Sequence, residues 1–273
     1  MEALIVFICG NILLLLMYYI LSTTSSKISN RLLQHQYVLV TGCDTGFGRA
    51  IVEKLDRIGV HVFAGCLTHS AVEELKSQSS RIIPFVMDVT KTADIENAVT
   101  LVKKELPEGR GLWGIVNNAG VGHHGFIEWI SVERFRQVCQ VNLFGLIDVT
   151  CHFLPLIKKE KGRIVNMASS AGINAPPRLA AYSVSKHGVV AFNNALRIEM
   201  IAFDVGVHCI CPTFFGTDIL NIDRAIKEIN AQYDQASDEV KKSYDGVLEH
   251  SKFLYLSLIL SCTYTNCHFS HIV

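Results

Sequence analysis

The sequence has no surplus of charge of either sign: Lys and Arg number 25, Asp and Glu number 25, and together they make up 18% of 273 residues. An average soluble protein carries about 25%. So balanced a chain lacks the basic stripe with which nucleic-acid binders grip phosphate backbones, and nucleic acid is excluded as its main partner. Paired cysteine spacing is missing as well. Nine cysteines, an odd number, are scattered along a chain long enough to bury a full core, which fits a reducing compartment rather than a disulfide scaffold. No Pro/Gly/Ser-rich linker divides the stretch from residue 37 to about 220, and no internal repeat occurs in it. One large domain accounts for that stretch. With 49% hydrophobic residues, the composition also excludes disorder.

What the chain does have is a long apolar run at its start. Ala3 to Leu21 is 19 residues without a charge, interrupted only by Gly10 and Asn11. As a helix it would be about 28 Å long, close to the roughly 30 Å of a bilayer's hydrocarbon. A cleaved leader would want a basic start, a shorter apolar stretch and a small-residue cleavage site. This one starts Met-Glu-Ala and ends Tyr18, Tyr19, Ile20, Leu21, so the expectation is a membrane anchor helix over residues 1–22, followed by a polar linker over 23–36. Lys27 and Arg31 follow the run and only Glu2 precedes it, which places the remainder on the cytoplasmic face by the positive-inside rule. One large domain is expected over 37–250, and an atypical tail over 251–273.

Beyond the linker, short β-branched runs alternate with helical patterns. Tyr37 to Thr41, Val60 to Ala64, Ile82 to Met87, Gly114 to Asn117, Arg163 to Met167 and Val207 to Cys211 read as buried strands. Gly48 to Ile58, Ala93 to Glu105, Val132 to Lys159 and Tyr182 to Phe203 read as helices. Such alternation predicts an α/β fold, a parallel sheet doubly wound with helices on both faces, because parallel neighbours need crossover connections.

The first strand runs into Thr41-Gly42-Cys43-Asp44-Thr45-Gly46-Phe47-Gly48. Glycines at a strand-to-helix turn let the backbone close on a pyrophosphate and set it at the helix amino end. A turn with close helix packing would use the same glycines, and the flanking strand and helix favour the phosphate reading. Asp44 inside this loop disfavours the extra phosphate of NADP, while Gly65-Cys66-Leu67-Thr68-His69 after the second strand offers neither an acid for a ribose diol nor an Arg for a 2′-phosphate. NAD is favoured over NADP.

Asn117-Asn118-Ala119-Gly120 closes the fourth strand, where an open sheet binds its ligands, although an Asx turn would use the same residues. Tyr182 and Lys186 are four apart and share a helix face. A phenol with an ordinary pKa near 10 is a poor base at neutral pH unless a cation stabilises its anion, and a lysine one turn away could supply one. Ser169, at the end of the preceding strand, could hydrogen-bond a substrate oxygen.

Together these motifs resemble the short-chain dehydrogenase/reductase family from about Tyr37 to Thr217: Thr-Gly-x-x-x-Gly-x-Gly, Asn-Asn-Ala-Gly, Asn142 in Val-Asn-Leu-Phe-Gly, Ser169, and Tyr-x-x-x-Lys in order. Gly-Cys-Asp-Thr-Gly-Phe-Gly, Cys-Leu-Thr, Asp-Val-Thr at 88–90 and Gly-Leu-Trp-Gly-Ile-Val-Asn-Asn-Ala-Gly look more narrowly like the branch with retinol and 17β-hydroxysteroid dehydrogenases. The resemblance implies a Rossmann-like domain that transfers a hydride between a nicotinamide cofactor and an apolar alcohol or ketone. By it, Tyr182 is the acid/base, Lys186 holds the nicotinamide ribose and lowers the phenol, Ser169 polarises the substrate and Asn142 supports a relay water. Ser169, thirteen residues before Tyr182, takes the serine role rather than Ser170. Gly42, Asp44, Gly46, Phe47 and Gly48 would surround the pyrophosphate end, Asp88 and Val89 the adenine, and Asn117, Ala119, Gly120 and Thr217 the cleft. It further implies attachment to the endoplasmic reticulum membrane and a homodimer.

Two departures from the family pattern stand out. Cys211-Pro212-Thr213-Phe214-Phe215-Gly216-Thr217 replaces the usual Pro-Gly, and after about Glu249 the chain lacks the last helix and strand of the branch. A second reading therefore stands beside the enzyme: a cofactor-binding or interaction chain without turnover. Cys209 and Cys211 read as core residues, His123 and His124 near the expected cleft as solvated loop residues ahead of substrate contacts, and Cys262, Cys267, His268 and His271 as no metal site, since no second well-spaced ligand pair accompanies them.

Overall fold

The computed structural model describes residues 33–213 and 222–244, without the side chains of 222–225. The expected anchor, most of the linker, Thr217 and the tail with its cysteines and histidines lie outside the described residues.

Six parallel strands form one sheet: β1 (Tyr37–Thr41), β2 (His61–Cys66), β3 (Ile82–Val86), β4 (Gly114–Asn117), β5 (Arg163–Met167) and β6 (Gly206–Ile210), in the order β3-β2-β1-β4-β5-β6. The helices are α1 (Gly46–Arg57), α2 (His69–Lys76), α3 (Thr92–Glu105), α4 (Val132–Cys139), α5 (Leu146–Lys159), α6 (Ala180–Glu199), α7 (Ile222–Gln235) and α8 (Asp238–Ser243). This is the doubly wound arrangement the alternating pattern predicts.

Side chains alternate between the two faces of each strand, and this divides the core in two. Leu39, Phe63, Ile115 and Ile164 pack with Ile95, Val149, Phe153 and Ile157 on one face. Val38, Val40, Val62 and Ala64 pack with Ile51, Val52, Leu55 and Leu75 on the other. Because both faces are covered, the strands are apolar throughout instead of alternating with polar residues.

From β1 the chain winds outward through β2 and β3, then crosses back to β4 on the other side of β1. The loops after β1 and β4 thus diverge and leave a crevice at the carboxyl ends of these strands, where open α/β sheets bind ligands.

The helix expected from Val132 to Lys159 is continuous in direction but contains a π-turn, Gln140–Gly145, between α4 and α5. The wide turn lets Gly145 approach β3's outgoing loop; a Cβ there would lie 2.8 Å from the Val89 carbonyl. By length and composition this stretch could cross a membrane, yet Val149, Phe153 and Ile157 lie in the core. Helix α2 was not expected; Thr68 caps it, accepting from the Ala71 amide. The segment Met200–Phe203 is a 3₁₀ turn rather than the last turn of α6.

Candidate active site

The crevice begins with two loops stitched together. Thr41 Oγ1 accepts from the amides of Asn118 and Ala119, both at 3.0 Å, and Asn118 Nδ2 donates to the carbonyls of Thr41 (2.9 Å) and Gly42 (3.0 Å). Gly42 and Gly46 have φ of +69° and +59°, a left-handed backbone open to glycine. A Cβ on Gly42 would stand 2.7 Å from Ala119 Cα, and one on Gly48 would overlap the Gly42 carbonyl and stand 2.6 Å from Asn118 Nδ2. The first turn of α1 has no acidic residue, and Thr45 gives its amides no side-chain cap. Positive helix-end dipole, a first turn without a Thr45 side-chain cap and a glycine-walled loop suit a dinucleotide's pyrophosphate.

Asp44 turns out of this loop toward the end of β2. Its carboxylate accepts from the amides of Leu67 (2.8 Å) and Thr68 (3.0 Å) and from the Thr68 hydroxyl (2.8 Å). The acidic group absent from the end of β2 is thus delivered there from the phosphate loop. Arg49, the nearby cation, is engaged by the Cys43 and Asp44 carbonyls and by Glu74.

Ser169, Tyr182 and Lys186 line one cavity with Phe47, Asn118 and Gly120 of the two loops. Ser169 follows β5 by two residues in extended backbone and caps a 3₁₀ turn through the Ala171 amide (3.1 Å); its hydroxyl is also the neighbour that holds the Tyr182 phenol down. Lys186 Nζ is 5.7 Å from the Tyr182 ring centroid and donates to the Met167 carbonyl at 2.7 Å. Burial holds the ammonium down at about 8, against the opposing pull of the Cys209 and Cys211 thiols. Burial likewise raises the phenol, and the Ser169 hydrogen bond draws it back. The lowering expected from Lys186 is therefore not the governing influence on Tyr182; desolvation outweighs it.

Asn142 sits in the π-turn, buried, beside this cavity. Its side-chain oxygen accepts from the Val121 amide (2.8 Å), while Nδ2 donates to the Val121 carbonyl (2.9 Å) and Ser185 Oγ (3.0 Å). It mimics a strand partner and pins the loop after β4 to α6.

Other expected cofactor residues are placed differently. Asn117 is buried and donates to Thr150 Oγ1 and Asn166 Oδ1, both at 2.9 Å, so it ties β4 to α5 and β5. Its neighbour Asn118 faces the cavity instead. The Asp88 carboxylate accepts from the Thr90 amide (3.0 Å) and hydroxyl (2.7 Å), shaping the turn after β3, and Val89 packs in the core.

His123 and His124 are not solvated: they are 4% and 3% exposed, and His124 lines the cavity. Helix α7, invisible to the strand-and-helix pattern, covers them. Cys209 and Cys211 are half-buried and pack against the core residues Leu146, Ala168 and Val189, with Sγ atoms 3.8 Å apart. Among the described residues no His/Cys/Asp/Glu group could hold a metal ion.

The sequence model of the short chain dehydrogenase family matches residues 36–227. The chain belongs to the short-chain dehydrogenase family. It is 42% identical to mouse retinol dehydrogenase 7 over 234 residues, covering 85% of this chain and 72% of that one. Bovine 17-beta-hydroxysteroid dehydrogenase type 6 is 40% identical over 237 residues, 85% of this chain and 73% of its own. The structure of 3-ketoacyl-(acyl-carrier-protein) reductase from Brucella melitensis, complexed with NADH, superposes with a TM-score of 0.64 at 27% identity, over 68% of this chain and 78% of that one. This short-chain dehydrogenase is thus a nicotinamide-dependent oxidoreductase acting on CH–OH groups, in the branch of retinol and hydroxysteroid dehydrogenases.

Proposed function

We propose that the chain oxidises an apolar secondary or allylic alcohol, a retinoid or a hydroxysteroid, with NAD as acceptor and Tyr182 as the acid/base. The observation that carries this is the convergence of Ser169, Tyr182 and Lys186 on one cavity beside the glycine loop. Much of the rest of the lining, Met167, Ala168, Ala171, Pro176 and Leu179, is apolar, as a hydrocarbon substrate requires.

Gly42, Gly46 and Gly48 would hold the pyrophosphate, and Lys186 the ribose nearest the reacting carbon. Bound there, the oxidised nicotinamide supplies the hydride acceptor and a positive charge. Ser169 holds the alcohol oxygen by a hydrogen bond. Tyr182 takes the hydroxyl proton at its phenol oxygen as the carbinol carbon loses its hydride, and returns a proton when the reaction runs as a reduction. In the buried pocket the phenol stands above its ordinary range, so ionising it depends on added positive charge. Lys186 and the oxidised cofactor are the groups able to supply it. Asn142 keeps the loop bearing Gly120 in place while this happens.

The Asp44 carboxylate at the end of β2 supports NAD, because the 2′-phosphate of NADP would meet its charge there. The apolar run before residue 22 supports attachment to a membrane, the endoplasmic reticulum in this reading, where retinoids and steroids partition. The test is NAD reduction by the full chain with retinol and with a hydroxysteroid. Turnover of neither alcohol with either dinucleotide would sink the assignment.

A further inference from the structure

Helix α7 reaches the cavity wall through two side chains one turn apart. Glu228 Oε2 lies 3.7 Å from His123 Nδ1 and 3.9 Å from His124 Nδ1. Gln232 donates through Nε2 to the His124 carbonyl at 2.8 Å and stands 3.3 Å from His123 Nε2. One carboxylate thus spans both imidazoles, and one amide holds the backbone that carries them. Spaced i, i+4, the two side chains work from one face of the helix.

The two histidines face different spaces. His124 lines the cavity with Ser169 and Tyr182. His123 lines a second cavity, with Arg134, Glu228 and Gln232. Gly125, next in the chain, allows this close approach, since a Cβ there would overlap the Gln232 side-chain oxygen. Below the clasp, Trp129 packs on Tyr233 and Tyr244 with ring centroids 5.3 and 4.9 Å apart. That aromatic cluster would by itself dock the helix. Burying two imidazoles around a carboxylate costs desolvation that aliphatic packing would avoid, and what the polar arrangement adds is a fixed ring orientation.

We infer that Glu228 and Gln232 are positioning residues. They hold His124 as a shaped wall for the apolar substrate, and their grip sets substrate affinity without entering cofactor binding or the chemical step. The inference rests on the dehydrogenase reading, and it predicts a separation of kinetic constants. Neither residue lines the cavity that Tyr182 and the glycine loop share, so a change at either reaches that cavity through His124.

The experiment uses the full chain in detergent-supplemented vesicles with retinol and a hydroxysteroid. Glu228→Ala should raise KM for the alcohol about tenfold, with kcat and the KM for NAD within about twofold of the parent. Glu228→Gln, which keeps shape and loses charge, should fall between. Because both act through one wall, His124→Ala combined with Glu228→Ala should be no worse than the poorer single variant. An unchanged alcohol KM, a parallel rise in the KM for NAD, or additive effects in the double variant would overturn the inference. Hydrogen exchange over residues 226–235 supplies a readout independent of turnover. Faster exchange in Glu228→Ala is expected even if the parent oxidises no alcohol, in which case the dehydrogenase reading fails alone; unchanged exchange overturns the clasp.

Discussion

Asp44 and Thr68 are joined twice, by the Thr68 amide at 3.0 Å and its hydroxyl at 2.8 Å, both meeting one carboxylate oxygen. With the Leu67 amide on the other oxygen, this bond ties the phosphate loop to the end of β2. A negative charge is thereby fixed where the adenosine ribose of a dinucleotide is read in this kind of sheet. Asp44→Ala removes charge-assisted bonds of about 1.5–3 kcal/mol each. The NAD value of kcat/KM should fall by at least about tenfold, and the ratio of NADP to NAD efficiency should rise. Steady-state assays with both dinucleotides measure it; an unchanged ratio would show that the carboxylate does not choose the cofactor.

Tyr182→Phe removes only the phenol hydroxyl from the cavity it shares with Ser169. General acid–base catalysis contributes about 10²–10⁴ in rate, so kcat should drop by that order. NAD affinity, read by quenching of tryptophan fluorescence, should stay near the parent value. Retention of the parent rate would remove Tyr182 from the mechanism.

Lys186→Met should uncouple stability from activity. Folding takes the amine from an ordinary 10.5 to about 8 because the ammonium is buried. Between those values the unfolded chain binds the extra proton, so stability rises as pH climbs through the window and stays at its lower level below pH 8. The fall corresponds to about 3 kcal/mol, reduced by about 1 kcal/mol for the lost bond to the Met167 carbonyl. At pH 7 the variant should melt several degrees higher than the parent while turnover disappears. The gap should close as pH approaches 10.5. Thermal denaturation at the two pH values decides it.

Gly48→Ala sets two effects against each other. Alanine is favoured over glycine within a helix by about 1 kcal/mol. The added methyl would overlap the Gly42 carbonyl and crowd Asn118 Nδ2, and such overpacking costs about 1–3 kcal/mol. The clash wins, and the loop must open. NAD binding should weaken at least tenfold in a titration, with the fold intact by circular dichroism.

The sheet was legible because buried parallel strands are apolar on both faces: β1, β4 and β5 coincide with their sequence runs, and β2 and β6 start one residue away from theirs. The glycine loop and the Tyr182–Lys186 spacing were legible because each depends on local geometry. The π-turn around Asn142 was not, since a single wide turn barely disturbs the 3.6-residue period that marks the surrounding helix. Nor could Asn117 and Asn118 be told apart, because which of two adjacent amides faces the crevice depends on partners such as Thr150 and Thr41, far away in sequence. The burial of His123 and His124 comes from α7, about a hundred residues downstream. No local pattern around the two histidines announces that helix.

The buried Lys186 bears on how long the chain would stay folded. Burial of its ammonium against the Met167 carbonyl lowers the stability of the folded chain below pH 8, and a dinucleotide that binds only the folded chain adds stability as its concentration rises above Kd. Newly made copies that meet little cofactor would open more often and be degraded sooner. The amount of this enzyme in a cell would then follow the supply of nicotinamide dinucleotide, with no change in its synthesis.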